Sequence, residues 1–217
     1  MIDLTGVIIH DLSLTYGSNI AGYSSRMARE IDRDGWNAKW LEIYSHAGTH
    51  MDAPLHFGLK PGTIDEYRPE ELLGKAWIAR IEITEPQQLI HIADLGEIQK
   101  HLEPGDSLLL DTRWSQHLGT PNYKDDLPRI STPLAQWLVD RKVKMLGVEA
   151  PSVADVNNLE EVTAIHEILL KGKVIIIEGL TDLHKIRSNQ VLLIALPLKI
   201  EAGDGAPARV IALEEST

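Results

Sequence analysis

The chain has 217 residues, room for one domain around one core, since a single core serves up to roughly 250 residues. With 43% hydrophobic and 24% charged residues the composition is globular, not disordered, and no apolar run approaches the ~20 residues of a membrane span. The formal net charge of -11 repels phosphate backbones and anionic membranes, so the expected partner is a small-molecule substrate rather than nucleic acid or a membrane.

In chain order, residues 1–4 lack the basic start and apolar stretch of a secretory leader, and a cytoplasmic location is expected. Gly6 to Leu12 reads as an opening strand, and the charged stretch Ser24 to Asp34 as a surface helix or ordered loop. Trp40 to Tyr44 is expected to be a strand. Lys75 to Ile83 and Ser107 to Asp111 are further strands, the second following the turn Glu103-Pro104-Gly105-Asp106. Between these two, His91 to His101 reads as a helix opened by Asp94. Thr132-Pro133 predicts an N-cap with proline at the first helical position, and Lys144 to Val148 a buried strand. Leu159 to Lys171 is a helix stopped by Gly172, followed by the strand Lys173 to Glu178. Gln190 to Leu196 is the last predicted strand, ahead of a closing Gly- and Pro-rich segment, Ala202 to Ala208. Strands and helices alternate without repeat or linker, so the expectation is one mixed α/β domain over residues 1–217.

The chemistry concentrates in His46-Ala47-Gly48-Thr49-His50-Met51-Asp52-Ala53-Pro54-Leu55-His56. All three histidines and the aspartate fall on even positions. In an extended segment even positions share a face, so His50, Asp52 and His56 are expected to converge, with Gly48 bending His46 round to them. Gly48 and Pro54 argue against a helix here. The chain has no cysteine, so a metal would be held by nitrogen and oxygen. Imidazole and carboxylate suit zinc, manganese, iron or cobalt, and two or three such ligands leave positions open for water. Water on such a metal ionises near pH 7, and a spare histidine can move its protons. The plainer alternative, loop histidines satisfied by backbone carbonyls, suits a lone histidine better than four candidate ligands in eleven residues.

At these residues the chain resembles the cyclase family of metal-dependent hydrolases, which includes bacterial kynurenine formamidases and isatin hydrolase. Every fixed position of that family's His-x-Gly-Thr-His-x-Asp-x-Pro-x-His motif is present. The resemblance extends from Asp11-Leu12-Ser13 through Leu108 to Trp114 and Gly147 to Val153, reaching His166 on its helix and Glu178 at its strand end. It implies the family's swivelling β/β/α fold and a homo-oligomer, a dimer or tetramer. It also implies that His46, His50 and Asp52 hold a first divalent metal, and that Asp52 bridges to a second completed by His166 and Glu178. His56 becomes the general acid/base. The metal is one ion or two, zinc as first choice and manganese as second. Independently of the resemblance, Glu178 is the odd residue in its strand, a carboxylate closing the apolar run Val174 to Ile177.

The implied activity is hydrolysis of an amide, with N-formylkynurenine the leading substrate and a cyclic amide, imide or lactone the runner-up. A metal-containing binding protein without turnover, or a purely structural metal site, is the rival class; an intact His56 favours catalysis, since a structural site needs no extra base. His10, His91, His101, His117 and His184 lie in no ligand-like spacing. Trp36, Trp40 and Trp114 are candidates for lining an aromatic pocket, with core packing the commoner fate, and Arg113 for binding a substrate carboxylate. The chain departs from its relatives at Leu14 to Asn19, where many have a proline-rich segment. Arg113 stands where glycine is common, and Glu149 where aspartate is. The resemblance therefore carries the metal ligands across but not the substrate.

Overall fold

A computed structural model describes residues 5–215; residues 1–4 and the leader reading that rests on them lie outside this range. The described strands are β1 (Val7–Asp11), β2 (Tyr23–Arg29), β3 (Ala38–Ile43), β4 (His50–Asp52), β5 (Leu73–Arg80), β6 (Leu89–Ile90), β7 (Ser107–Asp111), β8 (Arg129–Ile130), β9 (Met145–Val148), β10 (Ile175–Glu178), β11 (Gln190–Pro197) and β12 (Gly205–Glu215). Three helices are single turns: α1 (Ile31–Asp34), α2 (Ile98–His101) and α3 (Asn122–Asp125). Two are longer, α4 (Thr132–Asp140) and α5 (Leu159–Lys171).

Strands β5, β7, β9 and β10 are parallel neighbours, as the alternation of strands and helices requires. The long strand β12 then closes the sheet. One of its edges pairs with β11, and the other takes both β4 and β1. Because β4 also pairs with β10, seven strands form a barrel-like ring, with β1 as an eighth strand laid along β12.

The ring explains the apolar runs. Strand β7 is buried at every position because its two faces meet different cores. Leu109 packs inside the ring with Met51, Ile177, Leu193 and Val210. Leu108 and Leu110 pack outside it with Leu134 and Leu138 of α4 and Ile165 and Leu169 of α5. On β10, Ile175 and Ile177 point inward and Ile176 toward the helices. By the same period of two, Glu178 faces the helices as well.

Three expectations are corrected. The stretch Ser24 to Asp34 is mostly strand β2 in an antiparallel hairpin with β3, followed by the single turn α1. Pairing with the apolar side chains of β3 outweighs a charge pattern that also suits a helix. The His91 to His101 stretch is a 3-10 turn (Ile92–Leu95) and then α2, broken at Gly96, whose φ of 55° favours glycine. Asp94 does not open a helix but closes the turn, accepting the His91 N–H at 2.7 Å. The α4 cap is Ser131 rather than Thr132: its hydroxyl accepts the Leu134 N–H at 3.3 Å, which makes Thr132 the first helical residue. The Gly- and Pro-rich segment, left unassigned by the sequence, is a turn as far as Asp204, and β12 begins at Gly205. Pro207 stays in the sheet because its carbonyl still accepts, from the Leu198 N–H at 2.9 Å.

Candidate metal centre

The site lies on the helix-facing side of the ring. In the β10–β4 register, Glu178 stands opposite His50 and Ile177 opposite Met51. Cross-strand partners share a face, so while Met51 and Ile177 fill the ring, His50, Asp52 and Glu178 project outward together. Helix α5 brings the buried His166 over them. His50, Asp52, His166 and Glu178 are all at most 4% exposed, a depth at which carboxylates and imidazoles need partners.

Each buried histidine has one nitrogen tied back. His50 Nδ1 donates to the Gly48 carbonyl at 2.9 Å, and His166 Nδ1 to the Val162 carbonyl at 2.7 Å. A carbonyl can only accept, so both rings carry the proton on Nδ1 and turn Nε2 toward the carboxylates. His50 Nε2 is 3.2 Å from Glu178 Oε2 and 3.6 Å from Asp52 Oδ1. His166 Nε2 is 3.4 Å from Glu178 Oε1 and 3.5 Å from Asp52 Oδ2. Despite this proximity, His50 Nε2 and Asp52 Oδ2 have no aligned hydrogen-bond partner. Convergent donor atoms, close but not aimed at one another, are what co-ligands of an ion look like. The Val153 N–H fixes the Glu178 carboxylate by donating to Oε1 at 2.8 Å.

His46 and His56 form the outer half. His46 Nδ1 is 2.9 Å from Asp52 Oδ1, and its ring stacks on His56 at 3.8 Å between centroids. Asp52 thus belongs to two donor sets, one with His46 and His56 and the other with His50 and Glu178. His50 links the two sets, its Nε2 lying 3.2 Å from Glu178 Oε2 and its ring centroid 5.1 Å from that of His46. His56 reaches the site by a 3-10 turn (Pro54–Phe57) and not by the extended run expected for even positions, because Pro54 starts the turn.

Charge follows the geometry. Burial opposes a proton on His46, but hydrogen bonding to Asp52 and its charge, with Asp204 behind, push the ring up to about 9. His50 and His166 are likewise raised, against burial, chiefly by Glu178. Glu178 is driven far down despite its burial, by the His166 and His50 rings beside it. Burial lowers His56. The carboxylates therefore favour positive charge at this spot, as protons or as an ion that displaces them.

Above these donors opens a cavity of ≈ 390 Å³, walled by Tyr44, Pro151, Ser152, Val156 and Val162, with Lys124 at its edge. The family model for putative cyclases matches residues 4–155. The chain belongs to the Cyclase family. It is 27% identical over 216 residues to the kynurenine formamidase of Bacillus thuringiensis (strain Al Hakam), covering 97% of this chain and 95% of that protein. To the kynurenine formamidase of Bacillus cytotoxicus it is 31% identical over 166 residues, covering 76% and 75%. Among solved structures, isatin hydrolase A from Ralstonia solanacearum matches with a TM-score of 0.85 at 20% identity, over 97% of this chain and 93% of that one. A predicted metal-dependent hydrolase from Bacillus stearothermophilus matches with a TM-score of 0.77 at 21% identity, covering 95% and 98%. The mixed α/β ring is the fold these cyclase-family relatives share.

Other candidates fall elsewhere. Arg113 lines a separate cavity with Asp111 and His117. Trp114 is buried in the core, whereas Trp36 and Trp40 are exposed, Trp40 on the β2–β3 hairpin. His10 is satisfied by Glu214 at 2.7 Å. Sequence reasoning missed two residues beside the cluster, Lys124 and Asp204. Nothing near Lys124 in the chain points to a site. Asp204 lies in the Gly- and Pro-rich segment, where no spacing points to a site.

Proposed function

We propose that the protein hydrolyses an amide bond of a small, acidic molecule with the help of a divalent metal, an aryl formamide such as N-formylkynurenine being the leading substrate. The observation that carries this reading is the pair of buried, unpartnered atoms, His50 Nε2 and Asp52 Oδ2, within a donor cluster whose His46, His50, His56, His166 and Glu178 line an open cavity. His46, His50, Asp52, His166 and Glu178 are the proposed ligands. Their nitrogen and oxygen set, without cysteine, fits zinc first and manganese second.

When bound, the ion supplies Lewis acidity to the scissile carbonyl and its attacking water. The chain does the rest. His56, kept neutral by burial and stacked on His46, takes a proton from the attacking water and returns it to the leaving amine. Tyr44, Val156 and Val162 offer flat and apolar walls for an aromatic ring, and Lys124 a cation for its carboxylate. Kynurenine formamidases among the relatives support the formamide. Exposed Met27, Trp40 and Leu41 on the β2–β3 hairpin support a homo-oligomer, a dimer or tetramer.

The test is N-formylkynurenine hydrolysis by chelator-stripped protein resupplied with zinc or manganese. Activity should return with metal. His56→Ala should lower kcat by roughly 10²–10⁴-fold while metal content is kept. Activity on cyclic amides or lactones alone would replace the formamide. Full activity in the stripped protein would remove the metal mechanism altogether.

A further inference from the structure

Asp204 lies outside the histidine motif, in the turn that precedes β12. Its place is set by the backbone: the Asp204 carbonyl accepts the Ala53 N–H at 2.9 Å, and the next residue, Gly205, stands opposite Asp52 in the β12–β4 register. From there its carboxylate reaches His46, Oδ2 lying 3.0 Å from Nε2. Ser45 Oγ is 3.5 Å from the same oxygen and His56 Nδ1 is 3.7 Å away. His46 is therefore held between two carboxylates, with Asp52 on Nδ1 and Asp204 on Nε2. Gly205 supplies the seat for the ring. A Cβ there would come within 2.6 Å of His46 Cε1 and 2.8 Å of the Met51 carbonyl oxygen, so no other residue leaves the imidazole where it is.

We propose that Asp204 is a positioning residue of the metal centre: by accepting the Nε2–H of His46 it fixes the tautomer whose Nδ1 lone pair faces Asp52 and the ion, with Gly205 holding the ring plane. The inference rests on the reading of His46 as a ligand. A neutral imidazole has a single N–H, and a carboxylate can only accept it. Spending that proton on Asp204, at the solvent side, leaves the fully buried Asp52 free for the metal that its two donor sets share. Carboxylates behind ligating histidines raise ligand basicity and lock ring orientation, and losing one costs about 10–100-fold in metal affinity.

The experiment is zinc binding to the metal-stripped full chain, by competition with a chromophoric chelator. Asp204→Ala should bind zinc about 10–100-fold more weakly. Asp204→Asn, whose amide oxygen accepts the same N–H, should recover most of that loss, and Gly205→Ala should weaken binding although it removes no charge. In zinc-loaded wild type and Asp204→Asn, long-range ¹⁵N correlation spectra should show His46 protonated on Nε2, a signature that a merely structural role would not move. Equal affinity in wild type and Asp204→Ala, or an asparagine variant as weak as the alanine one, would overturn the role of Asp204 while leaving the metal centre standing. A wild type that binds no zinc or manganese would instead sink the metal reading itself, and this inference with it.

Discussion

His50 and His166 repeat one local device, a backbone carbonyl holding Nδ1–H so that Nε2 turns inward. The residue types were legible in the sequence, but the tautomers were not, since Gly48 and Val162 take part through their carbonyls. Lys124 is a sharper case, because only the fold brings it to the cavity edge. If it binds the substrate carboxylate, Lys124→Ala should raise KM about fivefold, the worth of one exposed ion pair, and leave kcat nearly unchanged. Steady-state kinetics with an acidic and a neutral formamide check this, the neutral one being indifferent. Glu149 makes a different prediction. It is fully buried, and burial pushes its carboxyl up to about 7, although Ser115 and the amides of Thr112 and Trp114 donate to it. The folded carboxyl holds its proton up to about that pH, whereas the unfolded one releases it near its ordinary value. Folding then takes up a proton, and stability falls as pH rises between those two values, by on the order of 3 kcal/mol. Glu149→Gln can keep the amide contacts through its oxygen and donate to Ser115. Urea denaturation at pH 5 and pH 8 should show the wild type losing this increment and the variant not.

Elements carry these residues to one another, and two of them meet closely at Gly179. This residue follows Glu178 with φ of 67°, and a Cβ on it would overlap the Gly48 carbonyl between the two motif histidines. Thr49 ties the same join, its hydroxyl donating to the Gly179 carbonyl at 2.5 Å. Gly179→Ala should therefore cost roughly 2–4 kcal/mol from strain and overpacking, and weaken metal binding too, read by urea denaturation and chelator competition. Elements with one dominant cue were legible. Ser107 to Asp111 is buried on both faces, and Leu159 to Lys171 has its stop at Gly172, so both emerge with the predicted bounds. Strands β2 and β12 were not legible, because their order comes from pairing with other strands, whereas β3, the partner of β2, was expected over Trp40 to Tyr44. Neither the charges of β2 nor the glycine and proline of β12 announce a strand.

At the scale of the whole molecule, the ring depends on β12 and β4, and β4 is itself the segment that carries His50 and Asp52. Closing the sheet and assembling the donors are one event. The α/β class was legible from the alternation of elements, but the closure was not, since a three-residue strand leaves little trace of itself. Metal should consequently stabilise the fold. An ion at a hundred times its Kd contributes about 2.7 kcal/mol, so a chelator should lower Tm by roughly 5–10 °C in calorimetry. An unchanged Tm would separate the metal from the fold. The most direct measurement is a crystal structure of zinc-loaded protein with diffraction recorded on both sides of the zinc edge. Anomalous density should appear among the proposed ligands His46, His50, Asp52, His166 and Glu178. Zinc bound in solution but absent from that cluster in the crystal would contradict the proposed metal centre.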